Sequence, residues 1–317
     1  MEAKEMVASL VEKSRIAQKQ LEKFNQQQID DIVRAIAKVV YDNAEPLSRL
    51  AVDETRMGVY EHKVAKCKGK SKIIWGNLKG KVSVGIVDRN EETGITVIAR
   101  PVGVVGAITP CTNPVVTPMC NAMFAIKGRN TVIISPHPRA KKLTAQLVAM
   151  FNEAIKPLGA PENVIQYIDP PSVEASSELM KQVDVVVATG GMAMVKSAYS
   201  SGKPAYGVGV GNVQCIIDRG MDISVAVPKI LEGRAFDNGI ICSGEQTIIA
   251  PKEEYDAIMA EAQKNGAVYV TDPAQKQALR DTIFPGGVMN KDLVGVSAVR
   301  VAEAAGISVP ADTRVIL

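Results

Sequence analysis

The sequence contains only two histidines, His62 and His137, and they lie far apart in the chain. Its five cysteines are odd in number and irregularly spaced, and none forms a pair at the spacing of metal ligands. This distribution argues against a zinc site and against a disulfide framework. It predicts a reducing, cytoplasmic environment and leaves association with a microcompartment open. We expect His62 to be a surface residue, because it falls in a lysine-rich helical stretch.

Strong net charge and long apolar runs are also missing. The formal net charge is +3 over 317 residues, which is too small to suggest a nucleic-acid partner. The apolar runs are far shorter than a bilayer-spanning helix requires, so no membrane partner is expected. Apolar residues make up 46% of the chain and charged residues 22%, as in ordinary globular proteins. The length allows more than one domain.

The order of apolar patterns indicates an α/β fold. Helical periodicity covers the first sixty residues, and residues 94–99 form a strand-like run. Continuous β-branched runs at 102–108, 131–135, 164–168 and 184–188 then alternate with helical segments. Such runs are typical of a parallel sheet buried on both faces, in a doubly wound arrangement. Ligands of this fold bind outside the carboxyl ends of the strands.

Cys242 lies in a segment that suits a catalytic thiol. Residues 236–246 read FDNGIICSGEQ, so glycine and amide residues precede the thiol and small residues follow it. Backbone N–H groups on such a turn favour the reactive thiolate. Upstream, the segment TPCTNP at 109–114 offers the side-chain amide of Asn113. A thiolate and an amide can together add to a carbonyl and hold the oxyanion. The alternative is an inert, buried cysteine.

Five motifs occur in a characteristic order. They are RPVGVVG at 100–106, TPCTNP at 109–114, SPHP at 135–138, TGG at 189–191 and NGIIC at 238–242. This pattern resembles the CoA-acylating branch of the aldehyde dehydrogenase superfamily, especially the succinate-semialdehyde and sulfoacetaldehyde type. The resemblance implies a small, acidic aldehyde and coenzyme A as substrates. It also implies that Cys242 is the nucleophile, that Asn113 is an oxyanion donor and that the full-length form is a homo-oligomer.

The resemblance also predicts the domain organisation. Residues 1–220 would be an NAD(P)-binding domain with N-terminal helices, and residues 221–317 part of an α/β catalytic domain. The last ten residues look like the start of a core strand. Because aldehyde dehydrogenases continue further, we expect the C-terminal remainder of the catalytic domain to be missing. A non-catalytic fragment that binds only the dinucleotide is therefore one alternative.

The dinucleotide must be bound without a glycine-rich GxGxxG turn, because residues 108–114 occupy the place where that turn would stand. The resemblance implies that the loop at 135–138 meets the adenosine ribose and that the TGG loop approaches the pyrophosphate and nicotinamide. Taken alone, Thr-Gly-Gly also fits a plain turn. The residues assigned to the cofactor are Thr109, Pro110, Thr112, Ser135, His137, Pro138, Arg139, Thr189, Gly190, Gly191, Gly209 and Gly211.

The charge near His137 bears on the choice between NADP and NAD. Arg139, Lys141 and Lys142 follow the SPHP motif, and no acidic residue is close in sequence. Cations favour the 2′-phosphate of NADP, whereas a carboxylate favours the ribose of NAD. The pattern favours NADP and leaves NAD open. The alternative is that these are ordinary surface charges at a helix N-terminus.

The absence of one carboxylate from the sequence distinguishes between two acyl acceptors, water and coenzyme A. Hydrolytic aldehyde dehydrogenases carry a Glu-Leu-Gly-Gly motif whose glutamate activates water, but the matching residues 205–212 read AYGVGVGN. A thioester on Cys242 should then persist until a thiol such as coenzyme A arrives, since a thiol needs less help from a base. Ordinary hydrolysis is the enzymatic alternative. Glu245 could orient the site or assist protonation, or form a structural salt bridge.

Overall fold

A computed structural model of the protein describes residues 2–317. The helices are α1 (Ala3–Leu21), α2 (Gln26–Asp42), α3 (Ala44–Thr55), α4 (Tyr60–Leu78), α5 (Val116–Lys127), α6 (Lys141–Ile155), α7 (Val173–Gln182), α8 (Met192–Tyr199), α9 (Ile223–Ala235), α10 (Tyr255–Lys264), α11 (Pro273–Ile283) and α12 (Ala298–Ala304). The strands are β1 (Gly85–Asn90), β2 (Ile95–Ala99), β3 (Val104–Thr109), β4 (Thr131–Pro136), β5 (Ile165–Tyr167), β6 (Val185–Thr189), β7 (Ala205–Val208), β8 (Val213–Ile216), β9 (Glu245–Ile249), β10 (Ala267–Val268) and β11 (Val315–Ile316).

The chain divides into two compact units. The first contains the residues up to Thr55 together with 63–210, and the second contains 56–62 together with 211–317. The division therefore falls before Gly211, whereas the sequence suggested a boundary after residue 220. The short segment 56–62 belongs to the second unit although it precedes most of the first.

The first unit is built on a five-stranded parallel sheet with the order β5-β4-β3-β6-β7. The predicted α/β, doubly wound fold is confirmed. Every residue of β3 and β4 is buried, which explains why both strands consist almost entirely of apolar residues. Side chains alternate between faces, so Val104 and Ile108 pack with α1 and α7 on one face. Val105 and Ala107 pack with α2 and α5 on the other.

A separate antiparallel hairpin, β1–β2, follows α4. The sequence predicted β2 but not β1, whose residues include the charged Asp88 and Arg89. Almost all of the hairpin is exposed. Strand β7 was also missed, because it is short and contains Gly207, which weakens the β-strand pattern.

The second unit has a smaller core. Helices α9 and α10 bury Val227, Leu231 and Ile258 together with Ile217, which follows β8. Strands β8 and β9 pair in parallel, as do β10 and β11. Val315 of β11 is buried, which confirms the strand expected near the end of the sequence. Within residues 2–317, no helix is long and apolar enough to cross a bilayer.

Candidate active site

The first unit places the predicted cofactor loops around its topological switch point. The chain runs from β3 to β4 and β5 on one side and then crosses to β6 and β7 on the other. The loops after β3 and β6 therefore diverge at neighbouring strands, which is where doubly wound sheets form a ligand crevice. Thr109 is the last residue of β3 and is followed by Pro110 and Thr112 on the first loop. Thr189 is the last residue of β6 and is followed by Gly190 on the second.

Asn113 stands in the loop between β3 and α5 and is half-buried. Its backbone carbonyl accepts a hydrogen bond from the N–H of Thr117 at 3.2 Å. The ammonium group of Lys66, on α4, donates to Oδ1 of Asn113 at 2.6 Å. Asn113 is therefore held by both its backbone and its side chain. Nothing in the sequence pattern linked it to a lysine 47 residues earlier.

The loop after β4 is only partly open to a ligand. Ser135 is buried, and its hydroxyl lies 2.8 Å from that of Ser176. His137, Pro138 and Arg139 are exposed, and Nδ1 of His137 accepts a hydrogen bond from the backbone N–H of Arg139 at 3.1 Å. The structure thus presents three of the four predicted side chains at the surface, whereas the Ser135 side chain supports the sheet.

A carboxylate lies next to this loop, although no acidic residue is close to it in sequence. The two oxygens of Glu54, at the end of α3, accept hydrogen bonds from the backbone N–H groups of Lys142 and Leu143, each at 2.8 Å. An anion at the N-terminus of α6 complements the helix dipole. The sequence could not reveal this carboxylate, because Glu54 is 88 residues from Lys142. The cations at 139–142 therefore have a carboxylate nearby. This weakens the argument from sequence that the cofactor is NADP rather than NAD.

The loop after β6 leaves open space beside Gly191, at the start of α8. Gly191 is the N-cap of α8, and a side-chain carbon added to Gly191 would meet nothing within 4 Å. The N-terminus of a helix is where anions such as phosphate bind favourably. The backbone N–H of Gly190 bonds to the carbonyl of Val208 at 3.1 Å, which ties this loop to the end of β7.

Cys242 is exposed, in the second unit, and follows an unusual backbone segment. Asp237 and Asn238 both have φ of 54°, and Gly239 has φ of 69°. Three successive residues in the left-handed region are costly, although Asp, Asn and Gly tolerate it best. The FDNG pattern before the thiol thus reflects a backbone shape that few other residues could adopt.

Hydrogen bonds hold this strained segment. Asp237 is fully buried, and its Oδ1 accepts from the N–H of Val59 at 2.8 Å. Its own backbone N–H donates to Nδ1 of His62 at 2.8 Å, and the His62 ring stacks on Phe236 with centroids 4.5 Å apart. His62, which was expected at the surface, is half-buried and supports the loop that carries the thiol. Asn238 donates through its side chain to the carbonyl of Gly295 at 2.9 Å.

Gly211, near the end of the carboxylate-free segment, lies against the backbone of Cys242. A side-chain carbon at Gly211 would lie 1.9 Å from the backbone oxygen of Cys242, so only glycine fits there. The carbonyl of Gly211 also accepts from the side-chain amide of Gln246 at 3.0 Å. At Gly209 an added carbon would meet the flexible end of Met192 instead. Gly211 was assigned to the cofactor from sequence, and in the structure it packs against the backbone of Cys242.

Glu245 does not form the salt bridge considered as one alternative. Its carboxylate packs against α9, where a side-chain carbon at Gly233 would come within 2.0 Å of Oε2. Oε2 is buried and has no hydrogen-bond partner within the described chain. Burial, and then the charge of Glu245, raise the pKa of the Cys215 thiol.

Burial makes the other thiols less reactive than an exposed thiol. Cys67 is buried. Burial raises the pKa of the Cys111 thiol and raises that of the Cys120 thiol to about 12. Only the thiolate is a good nucleophile, and burial disfavours it at Cys111, Cys120 and Cys215. Cys242 differs from the other four cysteines in being exposed.

Comparison with known proteins shows the family to which the chain belongs. The sequence matches the aldehyde dehydrogenase family over residues 1–282. It is 53% identical over 311 residues to a succinate-semialdehyde dehydrogenase (acetylating) of Clostridium kluyveri, covering 98% of this chain and 69% of that protein.

Two solved structures are similar throughout this chain. An acetylating aldehyde dehydrogenase from Geobacillus thermoglucosidasius superposes with a TM-score of 0.95 at 39% identity, covering 99% of this chain and 70% of the other. A propionaldehyde dehydrogenase of Rhodopseudomonas palustris, with bound CoA and an acylated cysteine, gives a TM-score of 0.87 at 36% identity, covering 98% and 71%. The chain thus spans about 70% of the length of these proteins. It belongs to the aldehyde dehydrogenase family.

Proposed function

We propose that the protein is a CoA-acylating aldehyde dehydrogenase that interconverts a small aldehyde and its acyl-CoA. The contact between Gly211 and the backbone of Cys242 carries this proposal, because it brings the end of the segment without a carboxylate to the backbone of the residue that bears the thiol. A base that could activate water is therefore missing from the segment that provides one in hydrolytic members. The solved relative with bound CoA and an acylated cysteine supports the same reading.

The proposed residue chemistry begins with the Cys242 thiolate. Its sulfur forms a bond to the carbonyl carbon of the aldehyde, and the carbonyl electron pair moves to the oxygen. Hydrogen bonds from the Cys242 backbone N–H and the side-chain amide of Asn113 stabilise this oxyanion. After oxidation, a thioester joins Cys242 to the acyl group. The thiolate of coenzyme A then attacks the thioester carbon, and the Cys242 thiolate leaves.

NADP or NAD is the proposed cofactor and, when bound, supplies the oxidant by accepting the hydride of the aldehyde carbon. Thr189, Gly190 and Gly191 would hold the pyrophosphate at the start of α8, where the space is open. His137, Pro138 and Arg139 would contact the adenosine end. Thr109, Pro110, Thr112 and Gly209 would line the crevice by their backbone.

The proposal also includes the substrate class, the cellular location and the oligomeric state of the protein. A small acidic aldehyde, such as succinic semialdehyde or sulfoacetaldehyde, is favoured by the similarity to the Clostridium kluyveri enzyme. The five cysteines are all free thiols, which supports a reducing, cytoplasmic location. A homo-oligomer is supported by the exposed β1–β2 hairpin, since isolated two-stranded sheets are only marginally stable in water.

Product analysis tests the acyl acceptor. Without coenzyme A, aldehyde and oxidised cofactor should give about one equivalent of reduced cofactor per Cys242 and then stall, as a trapped acyl-enzyme would. Adding coenzyme A should restart turnover and release acyl-CoA, and Cys242→Ser should abolish both phases. Sustained formation of free acid without coenzyme A would contradict the acylating assignment and favour hydrolysis.

The alternative that this chain is a non-catalytic fragment is tested by measuring a second protein in the same assay. The chain is measured alone and fused to the remaining part of the Clostridium kluyveri relative, of which it covers 69%. Turnover by the fusion alone would mean that these residues provide the thiol and the cofactor crevice but not a complete catalytic domain. Absence of turnover in both, with intact folding, would count against the proposed reaction.

A further inference from the structure

We infer that Lys66 is a positioning residue, which orients the side-chain amide of Asn113 so that its N–H groups can face a developing oxyanion. The inference rests on the proposed function, in which Asn113 is an oxyanion donor. Lys66 lies outside the five sequence motifs, in the same lysine-rich helical stretch as His62.

The contact fixes which end of the amide faces the lysine. Nζ of Lys66 lies 2.6 Å from Oδ1 of Asn113. An ammonium group carries only donors, whereas an amide offers an oxygen that accepts and a nitrogen that donates. The oxygen must therefore face Lys66, and Nδ2 is left to donate elsewhere. Within residues 2–317, no acceptor for Nδ2 of Asn113 is recorded.

Both partners are anchored by their neighbours. Cys67, next to Lys66, is 2% exposed and packs into the core of the first unit. The hydroxyl of Ser48 lies 3.7 Å from the sulfur of Cys67, and that of Ser71 donates to the carbonyl of Cys67 at 2.7 Å. The turn of α4 that carries Lys66 is thus fixed by buried contacts. The backbone of Asn113 is fixed by its bond from Thr117.

The charge of Lys66 has a second effect on the amide. A charge-assisted hydrogen bond to the carbonyl oxygen polarises the amide group. Polarisation along connected hydrogen bonds makes the amide N–H groups better donors. A rotated Asn113 would instead present its oxygen to the oxyanion, which is repulsive. Lys66 therefore both excludes the unproductive orientation and strengthens the productive one.

The kinetic test compares Lys66→Met with Lys68→Met. Lys68 lies on the same helix, is exposed and pairs with Glu45 at 3.2 Å, so its variant loses the same charge without touching Asn113. Because loss of an oxyanion donor costs about 10²–10³ in kcat, we expect Lys66→Met to lower kcat by about 10- to 100-fold. The KM for the dinucleotide should change little, and Lys68→Met should resemble the parent protein. Lys66→Arg, whose side chain is also donor-only, should restore most of kcat.

Two further measurements separate orientation from a general loss of structure. Lys66→Met combined with Asn113→Ala should be no slower than Asn113→Ala alone, because both changes act on one donor. With ¹⁵N-labelled asparagine, the side-chain amide signals of Asn113, assigned by their absence in Asn113→Ala, should move in Lys66→Met and stay in Lys68→Met.

The outcomes distinguish this inference from the proposed function. If Lys66→Met keeps kcat within about twofold of the parent, or if the Asn113 amide signals do not move, the inference is overturned. Additive losses in the double variant would also overturn it. If the parent protein makes no acyl-CoA, the proposed function fails, and the amide signals still decide whether Lys66 orients Asn113.

Discussion

At the residue scale, the five thiols differ in exposure and burial raises the pKa of three of them, which makes Cys242 testable as the nucleophile. We predict that iodoacetamide at about pH 8 modifies Cys242 first, because it is exposed while burial raises the pKa of Cys111, Cys120 and Cys215. A raised pKa lowers the thiolate fraction at a given pH. Peptide mapping over time measures the order of modification.

The same experiment has a pH dependence with a definite sign. Burial raises the pKa of Cys111 and Cys215, so their thiolate fractions and their labelling rates should increase as the pH rises. Cys120, with its pKa of about 12, should be modified last. Cys242→Ser controls for modification elsewhere. Equal labelling of Cys242 and Cys111 at neutral pH would count against a specially reactive Cys242.

Single residues also show where sequence reasoning succeeds and where it stops. The motif around Cys242 predicted an exposed turn, because glycine and amide residues reveal an unusual backbone locally. The roles of His62, Glu54 and Lys66 could not be predicted in this way. Each acts on a partner far along the chain, and sequence patterns report local periodicity rather than such pairings.

At the element scale, the predictions held where burial leaves a strong pattern. Strands β3, β4 and β6 are continuous apolar runs in the middle of the sheet, and they were found from sequence. Strands β1, β7 and β8 were not. They are short, partly exposed or adjacent to glycines, so tertiary pairing rather than intrinsic propensity determines them.

The segment that connects β7 to β8 contains Gly211. A substitution at Gly211 tests whether this segment supports the turn that carries Cys242. We predict that Gly211→Ala displaces the backbone of Cys242, because the new carbon would lie 1.9 Å from its carbonyl oxygen. Forcing such a clash costs about 1–3 kcal/mol. Thermal unfolding should show a lower midpoint, and the iodoacetamide rate of Cys242 should change.

Gly209→Ala is the matched control. It lies two residues earlier, and its added carbon would meet only the movable sulfur of Met192. Unfolding midpoint and Cys242 labelling should stay near those of the parent. Equal effects of the two substitutions would mean that loss of glycine flexibility, rather than contact with Cys242, determines the result.

At the scale of the whole molecule, the β1–β2 hairpin is the feature that most needs a partner. Ile86 and Ile98 pair across its two strands, and they are 49% and 54% exposed. Ile95 and Val97 expose apolar surface on the same hairpin, at 59% and 44%. Exposed strand edges and apolar patches of this kind are typical of interfaces. A second copy of the chain is the occupant that the proposed homo-oligomer provides.

We therefore predict that Ile98→Lys lowers the mass of the assembly measured by light scattering after size-exclusion chromatography. A buried, unpaired lysine is costly at an apolar interface, whereas on an exposed hairpin it would be harmless. Val173→Lys is the control, because Val173 is an apolar residue of α7 that is 74% exposed. If the parent protein is a monomer, or if Ile98→Lys leaves the mass unchanged, the hairpin does not join copies. A lower mass with an unchanged unfolding midpoint would show that the substitution acts on association rather than on folding of the first unit.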